Sequence, residues 1–474
     1  AHVFETPGTY IVTLIVSDGT NSSTQTQTIT VQDPEVVFAD NKTICISATL
    51  PVPGTDGCPA GAKAVASTNA ATAVSQNIGN GGVRFLFHRG ETFTSTVSTN
   101  TSKQGPGIIG AYGTGAKPIF HAPITIFDPS ADNATIISDW RLMDLDLDQQ
   151  SHPSGGGGIQ PGGALSQLLV LRVDAHDGPN PINVYWSPLR DQIFIVDSTQ
   201  KNATAGYNIY LSGSRVAILG NWLDNNLVPS GGCNARFPFL SKALLENNFF
   251  TRVYSGGCGI TVRGINWTGA LTMPPGSYTE QIVISDNKFD SGLGVVPINF
   301  HLSSNTEDDR ERDIIFERNY VVSGSANVAV GDDAVASFST FRNNIIDCST
   351  GPGRCGIAFA SDISGVLPPI NQVWAYNNTF FSSRASTATF VGIDSYKPST
   401  NVTAKNNVVY APLHSGSSGS VVKATRDEGT TGYVASNNST DAQVKTGPNP
   451  FISSSPSTPS DFRLTTGSYA IGGG

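Results

Sequence analysis

The sequence predicts an all-β chain, a solenoid in which short parallel strands stack coil upon coil. The first observation is a recurring phrase of apolar residues, one or two asparagines and more apolar residues, found at Asn221, Asn247–Asn248, Asn287, Asn319, Asn343–Asn344, Asn377–Asn378, Asn406–Asn407 and Asn437–Asn438. Successive copies lie roughly 24 to 40 residues apart, which is the spacing of stacked repeats. The second observation is composition, because 50 glycines and 28 prolines with only 14% charged residues favour bends and strands.

Each repeat contains short apolar runs with period-two character, such as Ile282–Ile284 and Ile314–Phe316. One repeat cannot bury its apolar face alone, whereas repeats stacked at about 4.8 Å close a continuous core. Asparagine suits the bend because it tolerates left-handed backbone angles and forms local hydrogen bonds. We therefore expect the asparagines to lie at bends and to bond to the equivalent asparagine one coil away.

In these repeats and in three flanking phrases, the chain resembles the right-handed parallel β-helix proteins. This superfamily includes pectate lyases, polygalacturonases and many bacterial surface proteins. The opening phrases are Val83–Phe93 and Gly110–Ile119, and the closing phrase is Asp461–Ile471, in which Tyr469 stands where proline is more usual. The resemblance covers roughly residues 60–470 and implies a right-handed parallel β-helix over residues 61–474.

The N-terminal residues follow a different pattern. Tyr10–Val16 and Thr24–Val31 read as two strands joined by a turn at Ser17–Thr20. Residues 1–19 resemble the last third of a PKD domain, an immunoglobulin-like β-sandwich. The resemblance implies a partial sandwich over residues 1–33, followed by a linker over residues 34–60. A lone hairpin is marginally stable, so we expect a partner to complete the sandwich or cover its edge.

Charge and cysteine content narrow the function classes. The net charge of −9 argues against nucleic acid and anionic membrane surfaces as partners. No apolar run in the sequence is long enough for a transmembrane helix. The six cysteines form three sequence-local pairs whose spacings do not match zinc clusters. We predict the disulfides Cys45–Cys58, Cys233–Cys258 and Cys348–Cys355, with free buried thiols as the alternative; disulfides would place the protein outside the cytosol.

Asn-x-Ser/Thr sequons occur throughout the chain and are the candidate glycosylation sites. They stand at Asn21, Asn41, Asn100, Asn133, Asn202, Asn266, Asn377, Asn401, Asn437 and Asn438.

A run of alternating acidic and apolar residues is the candidate cation site. In a strand, Asp144, Asp146 and Asp148 would share one face, with the intervening leucines directed inward. The next coil offers Asp174 and Asp177. Carboxylates from adjacent coils are suitable ligands for Ca²⁺, and a similar acidic cluster is used by the pectate-lyase-like enzymes that the chain resembles. A solvated outer face is the alternative.

Two further segments are candidates for catalysis. Asp332 and Asp333 are similar in outline to the paired aspartates of polygalacturonases, which protonate the leaving oxygen and activate water. Cys355 stands where that family has a histidine, and a turn between coils is the alternative. Arg310 and Arg312 are candidate bases for β-elimination from a uronic acid, with a solvated charged loop as the alternative.

Three functions are compatible with these features. The first is an extracellular structural protein without enzymatic activity, a subunit of a surface or filamentous assembly of identical chains joined through the incomplete PKD-like end. The second is a polysaccharide lyase or glycoside hydrolase acting on a uronic-acid-rich polysaccharide. The third is a glycan-binding module. The lack of a complete acid–base set in the sequence favours the first.

Overall fold

The computed structural model describes residues 4, 6–17, 20–98, 103–125, 136–150, 157–160, 164–184, 190–229, 231–263, 278–301, 311–324, 329–331, 337–351, 356–359, 370–416 and 421–470. One coil shows how the chain winds. Thr279–Ser285 lies in sheet 1, Lys288–Leu293 in sheet 2 and Val296–His301 in sheet 3, after which Glu311–Glu317 returns to sheet 1. Each of these strands pairs in parallel with its equivalent in the next described coil. The chain is therefore a parallel β-helix, as the repeats predict.

Sheet 1 is built from the longer strands that precede the asparagine bend. In spatial order they are Lys63–Ala66, Thr43–Ser47, Arg84–His88, Gly107–Tyr112, Ile137–Met143, Leu165–Leu171, Arg190–Val196, the second halves of Tyr207–Leu219 and Cys233–Glu246, Thr279–Ser285, Glu311–Glu317, Ser339–Arg342, Asn371–Tyr376, Thr400–Lys405 and Val434–Ser436. Tyr207–Leu219 and Cys233–Glu246 belong to two sheets because their first halves pair within sheet 3.

Sheet 2 follows the bend, and most of its strands are only two or three residues long. They are Thr92–Phe93, Ile119–Phe120, Asp146–Asp148, Asp174–His176, Thr199–Lys201, Trp222–Asp224, Phe249–Thr251, Lys288–Leu293, Tyr320–Gly324, Ile345–Asp347, Thr379–Phe381 and Val408–Tyr410. Sheet 3 closes each coil. Its remaining strands are Val97–Ser98, Ile124–Thr125, Ile182–Val184, Cys258–Arg263, Val296–His301, Val330–Gly331, Ile357–Phe359, Phe390–Tyr396 and Val422–Glu428.

Short helices lie at both ends of the coil stack. Ala70–Ser75 is capped by the side chain of Asn69 and buries Ala73 and Val74 against the first coils. Asp441–Thr446 buries Val444 at the other end. The remaining helical turns are Pro34–Val37, Asp40–Lys42 and Pro459–Phe462. No helix among the described residues is long and apolar enough to cross a membrane.

The recurring asparagines form one continuous ladder along the axis. The Asn248 amide nitrogen donates to Asn287 Oδ1 at 2.9 Å and to the Ile218 carbonyl at 2.8 Å. The same pattern links Asn221, Asn248, Asn287, Asn319, Asn344, Asn378, Asn407 and Asn438. Because all seven donors are 2% exposed or less, each rung satisfies polar groups that water does not reach.

The core is filled by inward-facing residue columns from all three sheets. Sheet 2 contributes Phe250 and Phe289, whose rings stack 4.7 Å apart and nearly parallel. Phe316 and Phe341 of sheet 1 continue the aromatic packing at 6.0 Å. These rings are almost completely buried, and aromatic pairs add to the free energy of burial.

The N-terminal segment forms an antiparallel hairpin, Gly8–Ser17 with Ser22–Val31. Neither strand pairs with another strand among the described residues, so the hairpin agrees with the expected pair of strands, and the PKD assignment stays a prediction. The predicted linker over residues 34–60 holds a strand of the stack, because Thr43–Ser47 pairs in parallel with Lys63–Ala66 and Arg84–His88. The coils therefore begin earlier than the sequence pattern indicates.

The structure contains the bridges Cys45–Cys58 and Cys233–Cys258. The second joins register neighbours in adjacent coils. Cys348 is also disulfide-bonded, and its predicted partner Cys355 lies outside the described residues.

Candidate functional site

The acidic residues predicted to bind calcium lie on the outer surface of sheet 2 and in the bend before it. Asp146 and Asp148 flank the fully buried Leu147, so both carboxylates face outward. The expectation that Asp144 shares their strand face is wrong. Its backbone is left-handed, with φ at 59°, which places it in the bend and ends the alternation before the strand begins.

Asp146 and Asp177 enclose the side chain of His176. His176 Nε2 lies 2.8 Å from Asp146 Oδ1, and Nδ1 lies 2.5 Å from Asp177 Oδ2. The hydrogen bond to Asp146 is the main cause that raises the pKa of His176 to about 9, and the bond to Asp177 adds to it against the opposing effect of burial. The ring is therefore an imidazolium at neutral pH and donates to both carboxylates.

The other members of the predicted set also face basic side chains. Arg172 donates Nε and Nη2 to the two oxygens of Asp144, each at 2.9 Å, and Lys117 donates to Asp174 at 2.9 Å. Burial raises the pKa of the Asp144 carboxyl, but the hydrogen bonds and charge of Arg172, with the charge of Arg89, outweigh it and bring the pKa below its usual value. These carboxylates are neutralised within the protein.

The pairing of these carboxylates with basic side chains determines whether they could bind calcium. Asp148, His176 and Asp177 can each place one ligand atom within 4.8 Å of the others. Calcium takes six to eight oxygen ligands, whereas this group contains an imidazolium that repels a cation and already bonds to an oxygen of Asp177. The residues do not fit calcium in this state, and no chemistry is assigned to a metal here.

The predicted catalytic residues are not brought together among the described residues. Asp332, Asp333 and Arg310 lie outside the described residues. Arg312 donates to Glu280 at 2.7 Å, and its guanidinium carbon lies 3.7 Å from the centre of the Tyr278 ring. Through this ion pair and stacking contact, Arg312 connects two neighbouring coils.

The sequons fall into three groups. Asn21, Asn41, Asn377, Asn401 and Asn437 are exposed. Asn202 and Asn438 are half-buried, and their amide nitrogens donate to Asp177 and to the Ala404 carbonyl. Asn100, Asn133 and Asn266 lie outside the described residues. Within the exposed group, the Asn401 amide nitrogen donates to Asn371 Oδ1 at 2.9 Å, so a glycan there would break that hydrogen bond.

A second polar surface, which the sequence did not indicate, lies on the outer side of sheet 3. We name it the Tyr–Arg face, and it consists of Tyr207, Tyr210, Arg236, Thr261, Arg263 and Asn299. Strand register places Tyr210, Arg236, Thr261 and Asn299 side by side in four successive coils. The Arg236 guanidinium carbon lies 5.3 Å and 5.5 Å from the ring centres of Tyr207 and Tyr210. Its Nη1 donates to the Tyr207 hydroxyl.

Several polar atoms of this face are buried and have no hydrogen-bond partner among the residues that the structure describes. They are Nε of Arg236, Nε of Arg263, Oγ1 of Thr261 and Oδ1 of Asn299. Buried polar groups in proteins are nearly always paired, so an unpaired set calls for an explanation.

The electrostatics of the Tyr–Arg face are dominated by its two arginines. Burial lowers the pKa of the Arg263 guanidinium, and the like charge of Arg236 lowers it further. The charge of Glu311 opposes this shift only in part. Neither arginine forms a salt bridge with a carboxylate in the part of the chain that the structure describes. The face therefore carries positive charge without a counter-charge in contact with it, in a chain whose net charge is −9.

Comparisons with known proteins do not assign the chain to a family. No protein-family model and no curated protein matches it. The structure is similar to the Dettilon tailspike protein, with 13% identity and a TM-score of 0.40 over 83% of this chain and 69% of that one. It is also similar to a tailspike protein of E. coli bacteriophage HK620 in complex with a pentasaccharide, with 10% identity and a TM-score of 0.46 over 90% and 82%.

A third similar structure is an alginate lyase from Paenibacillus sp. str. FPU-7, with 14% identity and a TM-score of 0.38 over 77% of this chain and 97% of that one. All three TM-scores are low. The parallel pairing of strands within this chain carries the fold assignment.

Proposed function

We propose that the chain is an extracellular protein that binds an acidic polysaccharide along the Tyr–Arg face. The observation that carries the proposal is the pair Arg236 and Arg263, two cations on one face that no carboxylate of the described residues contacts. A uronate carboxylate would supply the counter-charge, since guanidinium groups bind carboxylates through two parallel N–H bonds. The two disulfides are typical of proteins outside the cytosol.

The other members of the face suit a sugar chain. The rings of Tyr207 and Tyr210 lie 4.9 Å apart, and an aromatic ring offers an apolar surface to the C–H face of a pyranose while its hydroxyl bonds to polar groups. Thr261 and Asn299 follow Arg236 in successive coils, spaced by about 4.8 Å. A linear ligand that runs along the helix axis would therefore meet one polar group in each coil.

Binding to defined uronate oligosaccharides tests the proposal. Calorimetric titration should show binding of an oligouronate by the wild-type chain and no binding of the same oligosaccharide with its carboxyl groups reduced. Arg236→Gln and Arg263→Gln should each weaken binding about tenfold to a hundredfold, because a hydrogen bond to a charged group contributes about 1.5 to 3 kcal/mol. Affinity should fall with added salt.

The matched control is Arg215→Gln, which removes an arginine that pairs with Asp191 on sheet 1. It should bind like the wild-type chain. Equal binding by the carboxyl-reduced sugar, or equal losses in Arg215→Gln and Arg236→Gln, would refute recognition of carboxylates at the Tyr–Arg face.

A lyase activity is the second candidate, and the lowered pKa of Arg263 favours it. In β-elimination from a uronate, a base removes the proton beside the carboxylate, and the bond to the leaving glycosidic oxygen breaks to leave an unsaturated sugar. A guanidinium whose pKa is lowered by burial releases its proton more readily than an exposed one. Incubation of the wild-type chain with an oligouronate should then generate an unsaturated product, and Arg263→Gln should form none. Binding of the oligouronate without product would exclude the lyase activity and support a binding protein.

The sequence also predicts a structural subunit that is joined to others through the N-terminal hairpin. This stays a prediction. Its support is the exposure of apolar side chains on that hairpin, 72% for Ile11 and 61% for Leu14. Such exposure of contiguous apolar residues is typical of interaction surfaces. An assembly built through this hairpin would be compatible with polysaccharide binding on sheet 3.

A further inference from the structure

A pocket lies beside sheet 2, along the asparagine bends of four successive coils. It has a volume of about 550 Å³ and is bordered on one side by residues 457–459 of the C-terminal segment. This volume is in the range of sites that bind small ligands. Two of the four coils also contribute strands to the Tyr–Arg face, but that face belongs to sheet 3. The pocket is therefore separate from the site proposed above.

The polar groups around the pocket are of the kinds that bind sugar hydroxyls. Asn247 and Asn343 are exposed residues of the bends, and their amides offer both donors and acceptors. The Tyr320 hydroxyl donates to the Ser457 carbonyl at 2.9 Å, and both residues line the pocket. The C-terminal border of the pocket is thus attached to sheet 2.

The pocket lining holds two cations and one carboxylate. Arg318 donates to both oxygens of Asp286, at 3.0 Å and 2.7 Å, and also pairs with Glu317. Lys288 forms no salt bridge with a carboxylate in the part of the chain that the structure describes. Asp290 follows it by two residues on the same strand and does not line the pocket. The pocket therefore offers one cation to an anionic group of a ligand.

Two aromatic side chains extend this surface along sheet 2. Trp222 and Phe249 are register neighbours in adjacent coils, and Lys288 follows in the next coil. Trp222 is 46% exposed, and its indole N–H donates to the Thr251 hydroxyl at 3.0 Å, which orients the ring. Lys288 Nζ lies 4.7 Å from the centre of the Phe249 ring and also lines the pocket. The aromatic residues and the pocket therefore form one surface.

The chemistry of this surface suits an acidic pyranose chain. The exposed indole offers an apolar surface to the C–H face of a pyranose. A uronate carboxylate supplies the counter-charge of Lys288, and the sugar hydroxyls bond to the amides of Asn247 and Asn343. A purely apolar ligand would cover the lysine and the amides without pairing them, which costs free energy.

We propose that this surface is a second binding site for an acidic polysaccharide, in which one pyranose stacks on Trp222 and the carboxylate of another unit pairs with Lys288. We name it the sheet 2 site, and it consists of Trp222, Asn247, Phe249, Lys288 and Asn343. The inference rests on the proposed function for the class of sugar and adds a site on a different sheet. One protein chain then holds two sugar chains at once.

Calorimetric titration with a galacturonate trisaccharide and with a mannuronate trisaccharide tests the proposal. The wild-type chain should bind two molecules of at least one of them, and Arg236→Gln/Arg263→Gln should still bind one. Adding Lys288→Gln to this double variant should weaken the remaining binding about tenfold to a hundredfold, because a hydrogen bond between charged groups is lost. Adding Trp222→Ala should also weaken it, whereas Trp222→Phe keeps an aromatic ring and should retain binding.

Tryptophan fluorescence reports contact at the sheet 2 site. Trp222 is exposed, whereas Trp140 is fully buried. Bound trisaccharide should therefore protect the emission of the double variant from iodide quenching, and Trp222→Phe should reduce this protection. The matched controls are Lys405→Gln, an exposed lysine on sheet 1, and Tyr254→Ala, an aromatic residue that is 51% exposed. Both should bind like the double variant, and far-UV circular dichroism verifies that all variants fold.

Four results would overturn the proposal. They are no binding of either trisaccharide by the wild-type chain, complete loss of binding in Arg236→Gln/Arg263→Gln, unchanged binding after Lys288→Gln or Trp222→Ala is added, and equal binding of the carboxyl-reduced trisaccharide by the double variant. A chain that binds one molecule, and loses it in Lys288→Gln but not in Arg236→Gln, would refute the Tyr–Arg face and support the sheet 2 site. The two proposals therefore fail separately.

Discussion

Single residues at the bends combine backbone strain with hydrogen bonding. The residue before each ladder asparagine has a positive φ, for example 57° at Asn343 and 53° at Arg318. Left-handed angles cost about 1–2 kcal/mol for residues other than glycine, asparagine and aspartate. At Arg318 this cost is offset by ion pairs with Asp286 and Glu317. The bend therefore favours asparagine at two successive positions. The first adopts the left-handed backbone, and the second forms the ladder hydrogen bonds.

The ladder asparagines should be far more sensitive to substitution than the asparagines beside them. Asn319→Ala removes the oxygen that accepts from both nitrogens of Asn287, at 3.0 Å each. The buried backbone N–H then loses this acceptor, and Nδ2 keeps only its bond to the Leu245 carbonyl. We expect a loss of about 2–4 kcal/mol in the free energy of unfolding. Chemical denaturation measures it.

The control for this prediction is Asn343→Gly in the next bend, because Asn343 is exposed and glycine tolerates its positive φ. It should change the free energy of unfolding by less than about 1 kcal/mol. Similar losses in both variants would show that the ladder bonds do not carry the stability assigned to them.

His176 should make the stability depend on pH in the neutral to alkaline range. Its pKa is raised from 6.5 to about 9 in the folded chain, so its contribution is complete below about pH 6.5 and is lost as the pH rises through about 9. At about 1.4 kcal/mol per pKa unit, the contribution is at most about 3 kcal/mol. Thermal unfolding across this range should show a steeper fall for the wild-type chain than for His176→Gln.

His121→Gln is the matched control, since His121 lies on the same sheet and is 37% exposed. It should retain the wild-type slope. Parallel slopes in the wild-type chain and His176→Gln would exclude the Asp146–His176–Asp177 network as the cause of the pH dependence.

At the scale of elements, the C-terminal segment 449–465 packs back over the last coils of sheet 2. Phe462 lies 5.4 Å from Phe381 and 5.2 Å from Phe451, measured between ring centres. The Tyr320 hydroxyl donates to the Ser457 carbonyl at 2.9 Å. Burial within this aromatic cluster raises the pKa of the Tyr320 hydroxyl. The segment therefore covers apolar positions of sheet 2 that are otherwise open to solvent.

This packing predicts a local effect of Phe462→Ala. Removing a buried phenylalanine costs about 3–5 kcal/mol, which should open the segment while the central coils stay folded. Limited proteolysis with mass spectrometry should then detect faster cleavage between residues 449 and 465. Ile452→Ala is the control because its side chain is 50% exposed. Cleavage that accelerates equally in both variants, or spreads through the coils, would contradict the prediction.

The elements show which parts of the fold could be predicted from the sequence. The asparagine phrases located the bends of the coils from Asn221 onward, because the pattern repeats within one coil. The placement of Asp144 failed, since alternation alone does not reveal a left-handed residue before a strand of three residues. The calcium prediction also could not include Arg172 and Lys117, which reach the carboxylates from other coils.

At the scale of the whole molecule, the three sheets present three different surfaces. Sheet 2 carries internally neutralised carboxylates and the aromatic cluster under the C-terminal segment. Sheet 3 carries the Tyr–Arg face, and sheet 1 carries an outward apolar column that runs from Leu169 to Ile315. A chain with a net charge of −9 repels polyanions at long range, so binding of an acidic sugar depends on the local, partly desolvated charges of Arg236 and Arg263.

The sequence by itself determined the stacked-coil architecture, the ladder asparagines and the Cys45–Cys58 and Cys233–Cys258 pairings, since each follows from a pattern within one or two repeats. Only the tertiary structure decided which side chains become neighbours across coils. The spacing between ladder positions varies, from 25 residues between Asn319 and Asn344 to 39 between Asn248 and Asn287. Because the loops absorb this variation, Tyr210 and Arg236 meet only once strand pairing has set the register.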